Sequence, residues 1–418
     1  MKVKTAVVLL SSGVASFAAF AEWMDRPGGI KVGERMKINP YVSVSYSFDS
    51  NVDSARKEYR SHSLVIDPGL SFVYNAERWN LTGSLYLNYH QNFGDYSDEL
   101  SNLGFGESLG WSYSGMDDGR GWSATIRESY SKVLQDDDAS NNEGRGVWRD
   151  RGQFTLSAAL NRRFNDQWHA GVNFGTYYLD YDNDQRKYAP LYGWSRFTAG
   201  ANVGYTMSRW TDFFLSGSYS GYLQDNDKDL GDPYGNVYDV GDVSGDSKGW
   251  SLHGGIGTYL TERITYRLSA GWSHFEYGGV KDSDGFTYEA NFRWQAAERW
   301  NVMLLAASYY SPSEREYASS TRNDTISLGV ARGLIRGKLN ATADINYRHE
   351  THECVSYDTA DYNLDIITGR VGLSYTLNRY LSINGNIEYQ TEINDGSAIH
   401  NSYNYDRWRG NIGLRFAY

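Results

Sequence analysis

Taken two residues at a time, the chain alternates. Residues 79–89 place Trp79, Leu81, Gly83, Leu85, Leu87 and Tyr89 on one parity and Asn80, Thr82, Ser84, Tyr86 and Asn88 on the other. Residues 381–390 repeat the pattern, with Leu381, Ile383, Gly385, Ile387 and Tyr389 against Ser382, Asn384, Asn386, Glu388 and Gln390. A period of two is that of a β-strand with one apolar face and one wet face. The pattern recurs along the chain and predicts about 18 strands, each roughly ten residues long, running from 39–48 to 403–418. If the weakest hairpin, 103–132, is misread, 16 strands remain.

The connections between these segments sort into two alternating kinds. Short ones share related wording: Asn75-Ala76-Glu77-Arg78-Trp79, Asn165-Asp166-Gln167-Trp168, Ser208-Arg209-Trp210, Ala297-Glu298-Arg299-Trp300 and Asn378-Arg379-Tyr380. Long ones, such as 133–150, 182–190 and 224–248, are polar, acidic and glycine-rich. Short turns on one side and long loops on the other predict an all-β fold, a transmembrane antiparallel β-barrel with its turns in the periplasm and its loops outside the cell. A soluble β-sandwich also alternates, but its loops would not sort by length, and its wet face would carry more charge than the Ser, Thr, Asn, Gly and Gln found here. Aromatic residues mark both ends of the apolar parity. Trp79, Trp168, Trp210, Trp300 and Tyr380 stand beside short turns, and Tyr89, Tyr222, Tyr277, Tyr310 and Tyr389 beside long loops, as two membrane-interface girdles require.

Composition supports a β-rich chain, with 35 Tyr, 13 Trp and 44 Gly against only 6 Pro. Lys2 and Lys4 precede an apolar run from Ala6 to Phe20 that ends Ala19-Phe20-Ala21, an export signal cleaved before Glu22. This divides the chain into a signal peptide (1–21), a short periplasmic N-terminal segment (22–38) and the barrel (39–418). Export places the barrel in the bacterial outer membrane. No second apolar stretch approaches the roughly 18–20 residues of a spanning helix, and mean hydropathy is -0.60, so a helical membrane protein is excluded. The lone Cys354 cannot form an internal disulfide, which leaves the closed sheet to supply stability. Net charge is -11, and loss of Lys2 and Lys4 makes the mature chain -13, an acidity that argues against nucleic acid as a partner.

The last strand carries Trp408, Ile412, Leu414, Phe416 and Tyr418 on one parity and ends on an aromatic residue. This resembles the C-terminal signal that the barrel-assembly machinery reads, with Leu414, Phe416 and Tyr418 as its core and Tyr in place of the usual Phe. Together with Pro40-Tyr41-Val42-Ser43-Val44-Ser45-Tyr46 and Phe48-Asp49-Ser50-Asn51-Val52 at the start, the mature chain resembles the putative β-barrel porin type 2 family. The resemblance implies a barrel and a channel role, with no particular substrate.

A barrel of about 18 strands is wide enough to leave an aqueous channel, and the segment before it is too short for a plug. The expected function is passive diffusion of small polar solutes, in contact with outer-membrane lipid and lipopolysaccharide. The alternatives are a structural or secretion partner in exopolysaccharide export and a surface receptor or adhesin with a closed lumen. Selectivity would come from charges on the wet parity: Arg127, Arg163, Arg196, Arg267, Arg293, Lys338, Arg370, Arg407, Arg409 and Arg415 against Asp67, Asp212, Glu289, Asp344 and Glu388. The same charges could instead pair across strands and stiffen the wall. Asp136, Asp137 and Asp138, in the third long loop, are candidates for a constriction folded into the lumen.

Other chemistry is sparse. Asp225, Asp227 and Asp229 have the spacing that opens a calcium loop, but Leu230 and Asn236 stand where its glycine and glutamate belong, so only a weak cation site is conceivable there. His349, Glu350, His352, Glu353 and Cys354 have metal-ligating chemistry in a predicted loop but lack the H-E-x-x-H spacing. No nucleophile-base motif, phosphate loop or haem motif is found, so neither catalysis nor a cofactor is expected.

Overall fold

The computed structural model describes residues 29–51, 60–93, 102–117, 120–137, 147–181, 194–208, 210–224, 247–277, 281–312, 318–335, 337–354, 361–394 and 404–418. All the regular elements among them are strands: β1 (Ile30–Val32), β2 (Met36–Asp49), β3 (Ser61–Asn75), β4 (Trp79–Asn92), β5 (Asn102–Asp117), β6 (Arg120–Asp137), β7 (Val147–Arg163), β8 (Trp168–Tyr181), β9 (Trp194–Ser208), β10 (Thr211–Gln224), β11 (Ser247–Thr261), β12 (Ile264–Tyr277), β13 (Lys281–Ala297), β14 (Trp300–Pro312), β15 (Ala318–Ile335), β16 (Leu339–Cys354), β17 (Tyr362–Thr376), β18 (Leu381–Asn394) and β19 (Tyr405–Ala417). Each strand from β2 onward pairs antiparallel with the next, and β19 closes on β2, where Leu414 faces Val44 and Ile412 faces Tyr46. The result is a closed 18-strand barrel, and the doubtful hairpin is real as β5 and β6. One extra strand, β1, lies against the start of β2 with Ile30 opposite Ile38. The segment expected to precede the barrel therefore already contributes β1 and the first residues of β2.

The short turns have a common physical basis. Asn165 Oδ1 accepts the backbone N–H groups of Gln167 (2.9 Å) and Trp168 (2.7 Å), and Asn378 Oδ1 those of Tyr380 (2.8 Å) and Leu381 (3.0 Å). Thr261 Oγ1 does the same for Arg263 (3.2 Å) and Ile264 (3.1 Å). A short polar side chain thus caps amides that the ladder leaves unpaired, which is why related words recur at these turns. Gly121, near the start of β6, has φ of 129°, and a Cβ there would lie 2.3 Å from the Gly115 carbonyl oxygen.

Alternation sorts the side chains. Most of the exposed large apolar residues, among them Val44, Leu85, Leu252, Ile345, Val371 and Ile412, lie on the outward face, while Met303 and Tyr309 of β14 are exposed on the inward one. Ile412 lies between Trp408 and Phe416 on this face and is 60% exposed. Ile412→Arg is therefore expected to destabilise the refolded barrel by about 2–4 kcal/mol, read from urea unfolding in lipid vesicles, whereas arginine at the inward neighbour Asn411 should be nearly neutral.

The aromatic residues expected at the two levels fall into distinct positions in the structure. Trp79, Trp168, Trp210 and Tyr89 are exposed, the Trp210 backbone N–H donates to Ser208 Oγ at the β9–β10 turn, Arg332 lies over Trp300 at 4.4 Å, and Tyr380 stacks on Tyr418 at 5.7 Å. Tyr389 packs on Trp408 at 4.7 Å. Tyr222 belongs to the other face: it pairs in register with Arg196, and the guanidinium lies 5.9 Å from its ring. Tyr219, three residues earlier and on the opposite parity, takes the outward place. Tyr277 pairs with Ser247 at the end of β12, and its side chain lies outside the described residues.

Three further expectations change. Asp136 and Asp137 are ladder residues of β6, paired with Trp148 and Val147, so they do not belong to a loop entering the lumen. Lys338 sits in the β15–β16 turn, not on the wall. The His349–Cys354 cluster lies on β16, not in a loop, and its members go to different partners: His349 points outward to Asp365, Glu350 and His352 point inward and meet each other, and Glu353 accepts hydrogen bonds from Ser283 and Ser320, so the four do not converge on one ion. The expected signal peptide, Asp138 and the Asp225, Asp227 and Asp229 triplet lie outside the described residues.

Candidate functional site

The inward face is the lumen wall, and its cations are held in three different ways. The first is a charge ladder across the junction of the chain ends. Asp344, Arg370, Glu388, Arg409 and Asp49 are successive direct cross-strand partners on β16, β17, β18, β19 and β2, so sign alternates at every step. Opposite charges facing each other across a strand pair favour that register. Glu388, only 5% exposed, receives the Arg370 Nε at 2.8 Å on one oxygen and pairs closely with Arg409 through the other. Arg407, two residues before Arg409, grips both Asp49 oxygens through Nε at 3.0 Å and one of them through a terminal nitrogen at 2.6 Å.

The second set is held by aromatic rings. Arg267 lies 3.8 Å over Phe214, Arg415 lies 4.1 Å over Tyr41, and Arg196 lies between Tyr177 and Tyr222 at 6.0 and 5.9 Å. A ring orients a guanidinium without cancelling its charge. The third group consists of wall cations that face the lumen more openly. Arg293 on β13 is exposed, and Arg127 on β6 sits between Gly110 and Ser157. Glu289 lies diagonally from Arg267 on the same wall and forms no ion pair with it among the described residues. Asp67 accepts hydrogen bonds from Ser43 at 3.0 Å and Asn88 at 2.5 Å, and Asp212 lies 3.6 Å from His169.

Toward the outer ends of the strands the wall changes character. Leu364, Ile366, Leu179 and Phe275 all point inward, yet their exposures are 0%, 5%, 2% and 3%. Beside them His352 stacks on Tyr362 at 4.6 Å, and its ring nitrogens lie 3.0 Å from Thr321 Oγ1 and 3.0 Å from Glu350, which also holds Arg348 at 2.8 Å. Apolar side chains facing an open aqueous bore would be wet. At this level they are not.

Sequence reasoning found the ladder arginines, Asp344 and Glu388, but missed Asp49 and Arg348, and it placed Glu350 and His352 in a loop instead of on the wall. Asp49 was readable as the inward position that follows Ser43, Ser45 and Ser47. It also missed a rim grouping on the outward side, where His274, Glu276 and Asp282 offer ligand atoms within 4.8 Å of one another. Lys248 already binds Glu276 there at 3.0 Å.

Solved structures similar to this chain include the FrpB iron transporter of Neisseria meningitidis (10% identity, 93% of this chain and 82% of that one, TM-score 0.48). They also include the siderophore receptor PirA of Acinetobacter baumannii (8% identity, 93% and 81%, TM-score 0.48) and the copper transporter OprC (10% identity, 94% and 81%, TM-score 0.48). No curated protein matches the chain. The family model described as putative beta-barrel porin 2 matches residues 26–418, and the chain accordingly belongs to that family and is an outer-membrane β-barrel.

Proposed function

We propose that the barrel is a passive diffusion channel for small polar solutes, with a preference for anions. The observation that carries this reading is the second group of arginines. Arg196, Arg267 and Arg415 are fixed by aromatic rings, which order them without cancelling their charge. A ring of oriented positive charge on an otherwise Ser-, Thr- and Asn-rich wall attracts anions and lets them leave, because each contact is weak and replaceable by water. Barrels with about 16–18 strands have the width for such a path.

The ladder narrows the residue assignment. Arg370, Arg407 and Arg409 face carboxylates and contribute little net field, so selectivity is assigned to Arg127, Arg196, Arg267, Arg293 and Arg415. Single-channel recording of the refolded mature chain in a planar bilayer, under a salt gradient, tests both parts. Stable conductance steps are expected, with a reversal potential displaced toward that of chloride. R267Q/R293Q should move it back toward zero, and R407Q should move it much less.

The buried inward residues Leu364, Ile366, Leu179 and Phe275 favour a second reading, in which the outer third of the lumen is closed and the barrel acts as a receptor, adhesin or secretion partner. A folded barrel that carries no current would replace the first reading with this one.

A further inference from the structure

Two acidic side chains lie where the barrel should be greasiest. On β6 the outward residues run Trp122, Ala124, Ile126, Glu128, Tyr130, and on β5 they run Tyr113, Trp111, Leu109, Glu107, Phe105. Trp122, Trp111 and Tyr113 belong to the periplasmic aromatic level, and Tyr130 and Phe105 to the outer one, so both glutamates sit between the two. Glu107 is directly opposite Leu85 and Tyr130, and Glu128 is directly opposite Leu109 and Leu156. They are diagonal neighbours in one patch, and Glu107 is exposed. No hydrogen bond or ion pair reaches either carboxylate from the described residues. Lys132 stands above them at the level of Phe105 and has an interaction of its own.

Among the described residues every other outward charge is near a rim. Lys248, Asp324, Asp365 and Asp406 stand at the outer ends of their strands, and Arg162 and Arg332 at the periplasmic ends. Among the described residues Glu107 and Glu128 are thus the outward ionisable side chains between the aromatic levels. Acyl chains offer such groups neither charge nor hydrogen bonds, and ionisable residues at this depth ordinarily face a partner.

We propose that the outward face of β5 and β6 is an interface with a different membrane-embedded polypeptide, which brings an arginine or lysine side chain to Glu107 and Glu128 at mid-membrane depth. Charge complementarity selects this occupant. A second copy of the chain, related by a twofold axis along the membrane normal, would bring carboxylates against carboxylates. Among the described residues, a copy presenting another face has no outward cation at that depth to offer.

The test is in-cell photo-cross-linking with a photoreactive amino acid at Leu109, beside the patch, and at Leu215 on β10 as a control. Position 109 should yield an adduct with a second polypeptide whose cross-linked peptide carries a lysine or arginine, and position 215 should not. In the E107Q/E128Q background, shown to be folded by its heat-modifiable gel mobility, the adduct should fall at least about ten-fold, which corresponds to about 1.4 kcal/mol of lost contact. If the double variant fails to fold, E107Q and E128Q singly should each lower the yield. Adducts with lipid alone, with a second copy of this chain, or with a partner whose yield is indifferent to the glutamine substitutions would each overturn the proposal.

Discussion

Arg407→Ala is expected to lower the unfolding free energy of the refolded barrel by about 3–5 kcal/mol, seen as an earlier urea midpoint in tryptophan fluorescence. Arg407 is 8% exposed and holds Asp49 through both Nε and a terminal nitrogen. The pair spans the junction of β19 and β2, the one contact that must form between the two ends of the chain before the barrel closes. Alanine removes the cation and leaves the Asp49 carboxylate, whose side chain is 16% exposed, without its principal partner. Leaving one charge of a poorly hydrated pair uncompensated is more damaging than removing both. The double variant D49N/R407Q should accordingly recover a substantial part of the loss. A double variant as unstable as R407A would show that packing of the arginine stem, not charge, accounts for the effect. Ser50 and Trp408 exchange hydrogen bonds at the same level, through the Ser50 N–H at 2.9 Å and its Oγ at 2.8 Å, so the backbone junction should survive in either variant.

The architecture was legible because lipid enforces the period. Between the aromatic levels, a residue such as Leu381, Ile383 or Ile387 must be apolar if it faces outward, so parity could be read residue by residue. Legibility ended where the strands leave that zone. Outward positions there are His349, Asp365 and Asp406, which face water, so the hydrophobic period disappears while the hydrogen-bonded ladder continues. β16 consequently runs to Cys354 and β6 to Asp137, and residues read as loop turn out to be strand. The same loss of period explains Tyr222. An aromatic near a strand end is ambiguous unless its parity is tied to the apolar positions below it, and Leu215, Gly217 and Tyr219 tie it to the inward face.

The wall was legible as a list and not as an arrangement. Parity puts Arg267 and Arg409 alike on the wet face, yet one stacks on Phe214 and the other pairs with Glu388. The difference depends on register: Glu388 comes to stand opposite Arg409, and Phe214 comes within reach of Arg267 from two strands away. Sequence alternation cannot supply register, because shifting a strand by two residues preserves every face while changing every partner. The ladder of alternating charges is itself a device against such slips. A two-residue shift of β18 along β19 would set Glu388 opposite Arg407 or Asn411 and remove the carboxylate that separates Arg370 from Arg409.

That separation makes Glu388→Gln the most informative change in the lumen. Neutralising this 5%-exposed carboxylate takes away the shared partner of two guanidinium groups on β17 and β19, and a glutamine carbonyl can accept from one of them at a time. Stability should fall by about 2–5 kcal/mol, the range for truncating one member of a buried charged network. In a conducting channel the wall gains one positive charge, and Arg370 or Arg409 is released toward the lumen, so the reversal potential in a salt gradient should move further toward that of chloride. R370Q/E388Q removes one of the freed cations and should restore the wild-type reversal potential and part of the stability. If E388Q lowers stability without moving the reversal potential, the ladder sets register alone, and the field that ions sense comes from the ring-stacked arginines on the rest of the wall.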